Sequence, residues 1–291
     1  MMLTIAVLLA AAPSSGALQV ADLERFHQEL FERVAPTVVF ISTGKAFGSG
    51  VLVSKGGLVL TNAHVVQGAD RVDVVLQDGR KTHAVVVERP PRDIDLALLQ
   101  LDLTNTPAAE LAVGPSIHVG SWVAAIGHGE GAVWTFNVGM VSNIYSSASE
   151  RPVFQTQIPL NPGNSGGPII DRTGRVVGIV TAGIKEANSI NFGIDVGVAL
   201  RSLGRLAALC DCLTVSAPEG VAIFVDNKNV GTGRVVVPAT AGPHTVFAVV
   251  NGVMQRRSLV FPESRVIELS PPGLSPLVVP DGGTTRTPLK R

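Results

Sequence analysis

The chain has 291 residues, room for about two domains, and 46% of them are hydrophobic, enough for at least one sizeable core. Lys plus Arg and Asp plus Glu each total 23, so the formal net charge is zero. That balance argues against a nucleic-acid binder, which needs a basic stripe to displace counterions from phosphates. Thirty-one glycines and 19 prolines, with few strong helix formers outside short stretches, favour a turn-rich β architecture.

No charged side chain occurs in residues 1–17, and Leu3 to Ala12 is a run of ten that is apolar but for Thr4. Such a run is too short to span a bilayer, which takes roughly 20 residues. Ser15 and Ala17 fit the small-residue spacing of a secretory cleavage site. The expectation is a signal peptide over 1–17 and export to the periplasm or the extracellular space; a buried N-terminal helix is the alternative. Leu23, Phe26, Leu30, Phe31 and Val34 then recur at helical spacing, which predicts an amphipathic helix over Ala21–Val34, ended by Ala35-Pro36.

From Thr37 to about Leu101 the pattern changes to short β-branched runs between Gly and Asp turns, including Val38–Ile41, Gly50–Val53, Val72–Leu76 and Ala84–Val87. Asn105 to Gly114 is a Pro/Ala-rich crossing segment. A second strand series follows, including Trp122–Ile126, Val133–Val141, Pro152–Ile158, Pro168–Ile170 and Val176–Ala182. Two comparable sets of short strands predict two packed barrels rather than one sandwich. A single helix is predicted over Val196–Leu209, on the alignment of Leu200, Leu203, Leu206 and Leu209.

Cys210 and Cys212 are the only cysteines. Their spacing makes an intrachain bridge awkward, and no His or Cys cluster completes a metal site. Two thiols at a domain junction, an intermolecular pair and a strained bridge all stay open, and no metal or cofactor is expected. Beyond Cys212, Leu213–Ser270 reads as a further all-β stretch, with alternation in Val221–Val225 and a turn at Asp226–Asn229. Pro271–Arg291, rich in Pro, Gly and Thr, reads as a disordered tail. The expected domains are therefore a signal peptide over 1–17, a first domain over 18–209, a small β-sandwich over 213–270 and a tail over 271–291.

The segment Asn161-Pro162-Gly163-Asn164-Ser165-Gly166-Gly167-Pro168 sets Ser165 among glycines that permit a tight turn and close approach of a substrate backbone. A serine hydroxyl becomes a useful nucleophile only when a base takes its proton, and the oxyanion that forms needs convergent N–H donors. Gly163 and Ser165 have the spacing to supply them. The candidate base is His64, in Leu60-Thr61-Asn62-Ala63-His64-Val65-Val66, where a β-run enters a short helical turn. The candidate acid is Asp95, heading an apolar strand where its carboxylate needs a partner; Asp93 is the runner-up. The order His, Asp, Ser is that of chymotrypsin.

Thr61–Val66, Asp95–Leu99 and Asn161–Pro168 resemble the three signatures of the HtrA (Deg) proteases, and Gly48–Val51, Ala125–Gly127 and Gly139–Ser142 match the same family in order and spacing. The resemblance covers about residues 35–202. It implies a chymotrypsin-like double six-stranded antiparallel β-barrel, with Asp95 as the acid, Gly163 and Ser165 as oxyanion donors, and Thr181-Ala182-Gly183 as the strand that pairs with substrate. In that fold Pro159 and Leu160 wall the primary pocket on one side and Thr181, Ala182, Gly183 and Ile184 on the other. With no acid among them, cleavage after small or medium aliphatic residues is expected. Glu186 and Asp195 are the acids that could reverse that preference.

The chain departs from the family where a PDZ domain usually follows. Val215–Asp226 and Ala241–Val246 instead resemble the two halves of a PEGA domain, with Val221 where that motif has Ala, and Gln157 stands where the family often has Asp. The function expected is a cofactor-free serine endopeptidase acting on exported or unfolded polypeptides through an acyl-enzyme, with a C-terminal domain that binds an envelope or protein partner. The competing expectation is a non-catalytic peptide-binding or envelope-anchoring protein on the same scaffold. Oligomeric state is left open.

Overall fold

The computed structural model describes residues 15–90, 94–114, 117–131, 134–145, 153–181 and 190–270. Residues 1–14 of the expected leader, Asp93, Ala182, Gly183, Ile184, Glu186 and the expected tail over 271–291 lie outside the described residues. The chain divides into two compact units, Met1–Cys210 and Asp211–Arg291.

The first unit opens with helix α1 (Ser15–Val34), which starts six residues before the predicted Ala21. Leu30 and Val34 are buried, and Phe26 and Phe31 meet Trp122 and Phe136 edge-on at 5.6 and 6.1 Å. Leu23, expected on this face, is 53% exposed, so the packed stripe begins only at Phe26. Arg33 fixes the far end of the helix by donating to Thr173 O at 3.1 Å.

Six strands follow: β1 (Val38–Ser42), β2 (Phe47–Leu52), β3 (Leu58–Thr61), β4 (Arg71–Val75), β5 (Lys81–Glu88) and β6 (Ala97–Leu101). They close into an antiparallel barrel in the order β1-β2-β3-β6-β5-β4. The alternation of β4, with Val72 and Val74 buried between exposed Arg71 and Asp73, is what a strand with one wet face requires. Val39, Ile41, Leu52, Val59, Leu99 and Leu101 fill the interior.

The second barrel uses β7 (Trp122–Gly127), β8 (Thr135–Ile144), β9 (Val153–Thr156), β10 (Pro168–Ile170), β11 (Val176–Val180) and β12 (Asn191–Asp195). Its closed order, β10-β11-β12-β9-β8-β7, is the order of the first barrel with every label advanced by six, so the two barrels are structural repeats. The two comparable strand sets in the sequence anticipate that repeat, whereas the order of closure does not show in a residue pattern, because a closed sheet constrains which positions face inward and not which apolar residue fills them. Phe154, Ile158, Ile169 and Val177 lie at its centre. The crossing segment joins the barrels through Ala109 N–H to Leu52 O and Ala112 N–H to Val176 O, at 2.8 and 2.9 Å.

The predicted helix over Val196–Leu209 is two helices, α2 (Val196–Ser202) and α3 (Gly204–Ala207), broken at Leu203, which is extended with φ −116°. The Glu88 carboxylate accepts from the Gly204 and Arg205 N–H groups at 2.7 and 3.1 Å. A side chain far away in sequence thus caps the second helix, satisfying N–H groups that a continuous helix would have bonded internally.

The second unit holds β13 (Cys212–Ser216), β14 (Ala222–Val225), β15 (Lys228–Thr232), β16 (Arg234–Pro238), β17 (Gly242–Val250), β18 (Val253–Phe261) and β19 (Val266–Glu268). They form a three-stranded sheet, β16-β13-β19, and a four-stranded sheet, β15-β14-β17-β18. Leu213, Val215 and Val237 of one sheet share a core with Ile223, Val246, Ala248 and Leu259 of the other. Asp226 and Asn227 both take positive φ, at 48° and 66°, and turn β14 into β15 as the Asp-Asn pair predicts. The pairing of β13 with β19 is parallel, which local pattern cannot reveal. Both cysteines are disulfide-bonded. Two free thiols, one of the expected alternatives, are thereby excluded.

Candidate active site

His64 begins a one-turn 3-10 segment, His64–Val66, just after β3. Val65 and Val66 are buried and anchor the turn, leaving the His64 side chain 45% exposed. Asp95 sits two residues before β6, the strand paired with β3, so sheet register sets the two residues side by side. His64 Nδ1 lies 2.7 Å from Asp95 Oδ2, and the His64 backbone N–H donates to Oδ1 at 3.0 Å. The Thr181 hydroxyl donates to Oδ2 at 3.0 Å, and Asn62 Nδ2 donates to the Asp95 carbonyl at 2.8 Å.

Burial alone would raise the pKa of Asp95; the hydrogen bonds from the His64 side chain and backbone, its charge, and the Thr181 hydroxyl outweigh that and hold the carboxyl below its usual range. An ionised Asp95 only accepts hydrogen bonds, so Nδ1 of His64 is the donor and Nε2 carries the free lone pair of the neutral ring.

The Ser165 loop is folded by its own turns, Asn164 N–H to Asn161 O at 3.0 Å and Gly167 N–H to Asn164 O at 2.9 Å. It is held between the barrels: Ser49 N–H of β2 donates to Ser165 O at 2.8 Å, and Gly166 N–H donates to Val180 O of β11 at 3.0 Å. Gly166, at φ +84°, lies against Ser49 O, Thr61 Oγ1 and Asn62 N, where a Cβ would collide. The loop therefore abuts the segment leading into His64. Gly163 takes φ +99°, and a Cβ there would strike His128 O and the Phe47 ring. Among the described residues, no group accepts from the Gly163 or Ser165 N–H.

Of the residues expected to shape the pocket, Leu160 packs against the core of the second barrel. Thr181, expected in the strand that pairs with substrate, donates its hydroxyl to Asp95. The Asp195 carboxylate accepts from Gly197 N–H at 2.8 Å and caps α2. Ala182 and Gly183 lie outside the described residues, as does Asp93. Sequence reasoning missed Ser49 and His128, which lie buried under the Ser165 loop and are bonded to each other at 3.0 Å. The visible signal was a histidine closing an otherwise apolar strand, at the end of Ala125-Ile126-Gly127.

Two antiparallel six-stranded barrels with a His–Asp pair and a glycine-framed serine between them define the class of trypsin-like peptidase domains, and residues 48–179 match the family model for the "Trypsin-like peptidase domain". A relative in Pseudomonas fulva named "Probable periplasmic serine endoprotease DegP-like" is 34% identical over 219 residues, 68% of this chain and 46% of the relative. The crystal structure of the serine endoprotease from Yersinia pestis matches 86% of this chain and 98% of its own at 24% identity and a TM-score of 0.57, a likeness of fold alone. The HtrA-type protease AlgW with tripeptide matches 80% of this chain and 96% of its own at 25% identity and a TM-score of 0.57. Over most of the first unit the chain is thus similar to trypsin-like serine protease domains of the HtrA/DegP type. The chain spans about half the length, or less, of the curated relatives it matches.

Proposed function

We propose that the chain is a serine endopeptidase whose triad is His64, Asp95 and Ser165. The observation that carries this is the 2.7 Å contact between His64 Nδ1 and Asp95 Oδ2, which leaves Nε2 as the base. His64 takes the Ser165 proton as Oγ attacks the scissile carbonyl, then returns it to the leaving amine, and water releases the acyl group by the same route. Asp95 keeps the imidazole in the working tautomer and stabilises its transient positive charge. The Gly163 and Ser165 N–H groups receive the oxyanion, a role supported by their lack of a partner among the described residues. Labelling by a fluorophosphonate tests the reading: wild type should label and Ser165→Ala should not. A wild type that resists labelling sinks it.

The substrates proposed are unfolded or exported polypeptides, cut after Val, Ala, Ile or Leu. Leu160 supports an apolar pocket wall, and the capping role of Asp195 removes one acid that could attract Lys or Arg. Discrimination among aliphatic residues should be modest, because one methylene is worth only about 1–3 kcal/mol. Sequencing the cuts in a denatured protein checks this; a majority after Lys or Arg would require another acid. We further propose that the chain is exported to the periplasm, on the mostly apolar run Leu3–Ala12 and the name of its relative in Pseudomonas fulva. The second unit is proposed to be a PEGA-like module that binds an envelope or protein partner. That reading rests on Val215–Asp226 and Ala241–Val246, the two sequence matches to such a module.

A further inference from the structure

The His128 imidazole is 2% exposed, yet it does not belong to the triad. It closes β7 and is boxed by Trp134 and Phe40, whose rings meet it edge-on with centroids at 4.4 and 5.3 Å. Its Nδ1 lies 3.0 Å from Ser49 Oγ, and its own backbone N–H donates to the same oxygen at 3.0 Å. Ser49, also fully buried, donates its hydroxyl proton to Gly163 O at 2.7 Å.

These contacts fix the protons. A serine hydroxyl has one proton and two lone pairs. The proton goes to Gly163 O and one lone pair to the His128 N–H, so the remaining lone pair takes Nδ1–H of the imidazole. His128 is then the Nδ1-protonated neutral tautomer. Burial depresses its pKa to about 4, so it stays neutral across the working range of a serine protease. Among the described residues Nε2 is buried without a partner, as the bare lone pair of a neutral ring can be and an imidazolium could not.

The second anchor lies in the turn that follows. Glu130, held at φ 58°, donates its N–H to Pro162 O at 2.7 Å. The Pro162 C=O and the Gly163 N–H belong to one trans peptide plane and point in opposite directions. Holding the carbonyl therefore aims the N–H the other way. Ser49 holds the next carbonyl, that of Gly163, so both peptide planes around Gly163 are fixed. Glycine can rotate these planes with little penalty even at φ +99°, so without the two anchors the N–H would not keep one direction.

We propose that His128 is a positioning residue for the oxyanion site, acting through Ser49 on the Gly163 carbonyl. The inference rests on the reading that Gly163 N–H receives the oxyanion, and it adds residues which that reading does not require. The imidazole supplies one directional donor inside an apolar box. An asparagine can offer its Nδ2–H from nearly the same place, whereas a phenylalanine fills the space and offers none.

The test uses the full chain with wild type, His128→Phe, His128→Asn and Ser49→Ala, each normalised to active sites titrated with a fluorophosphonate. His128→Phe and Ser49→Ala should lower kcat per titrated site by at least about tenfold, less than the roughly 10²–10³ seen when an oxyanion donor is removed outright. KM for a peptide ester should stay within about twofold, and a peptide aldehyde, whose adduct carries the oxyanion, should bind more weakly by the same factor as kcat. His128→Asn should recover most of the loss. A merely structural role would reduce the number of titratable sites and leave kcat per site unchanged, and that result overturns the proposal. So does equal loss in the Asn and Phe variants. Should His128→Phe fail to fold, Ser49→Ala and the aldehyde comparison decide by themselves. A wild type that neither labels nor hydrolyses refutes the protease reading instead, so the two failures are distinct.

Discussion

Thr181, just after β11 in the second barrel, donates its hydroxyl at 3.0 Å to Oδ2 of Asp95, just before β6 in the first. That oxygen is the one His64 Nδ1 also contacts, so the acid of the proposed triad is tied to both barrels. Removing the hydroxyl should make the carboxylate more basic, since Thr181 is among the groups holding the Asp95 pKa down. Thr181→Val is expected to cost about tenfold in kcat/KM, the scale of one hydrogen bond to a charged group. Thr181→Ser, which keeps the hydroxyl donor, should recover most of the loss. A wild-type rate in Thr181→Val would show that Thr181 serves only to join the barrels.

Ser165→Ala and His64→Ala should each abolish turnover with the fold intact, and the double variant should be no worse, because the two act as one unit. Asp95→Asn should cost roughly 10⁴ in kcat through the wrong imidazole tautomer. Asp93→Asn should cost little. Comparable losses in the two aspartate variants would move the acid away from Asp95.

The two compact units, divided at Cys210 and Asp211, have separate cores. Residues 15–210 alone should fold, label with fluorophosphonate and digest an unfolded protein such as casein. Insolubility or inactivity of that fragment would show that the second unit completes the protease fold.

His244 carries a pH dependence of the second unit's stability. Its Nε2 donates to Thr240 O at 2.8 Å and its Nδ1 to Asp226 Oδ2 at 2.6 Å, an arrangement that needs both ring protons. The Thr240 carbonyl, and then the Asp226 carboxylate, raise the His244 pKa. A raised folded-state value gives stability that is fully present below about 6.5 and is lost as pH rises through the raised pKa. Asp226 works in the opposite sense. Thr245 N–H and then His244 lower its pKa, so its share is present above about 3.9 and disappears as pH falls through the lowered value. Thermal melts of residues 211–270 should therefore be highest between these limits, and His244→Gln should flatten the fall on the alkaline side. A variant with the wild-type slope would exclude the pair as its cause.

The sequence by itself determined the short-range features. Alternation in Val72–Leu76 made a strand, Asp226-Asn227 made a turn, and the glycines around Ser165 made a tight loop. It also offered His64, Asp95 and Ser165 as candidates, each in a short segment of unusual local chemistry: an acid heading an apolar strand, a histidine at a strand exit, a serine among glycines; only the resemblance to the HtrA proteases preferred Asp95 to Asp93. What only the tertiary structure decided are relations between residues distant along the chain. Glu88 caps Gly204, 116 residues away, where the predicted Val196–Leu209 helix is interrupted. The Thr181 hydroxyl meets Asp95 across 86 residues, and Ser49 reaches Gly163 across 114. A hydrogen bond needs its partners within about 3 Å and in line. Local pattern sets which residues face inward, whereas only closure of the two barrels sets which inward-facing polar groups meet.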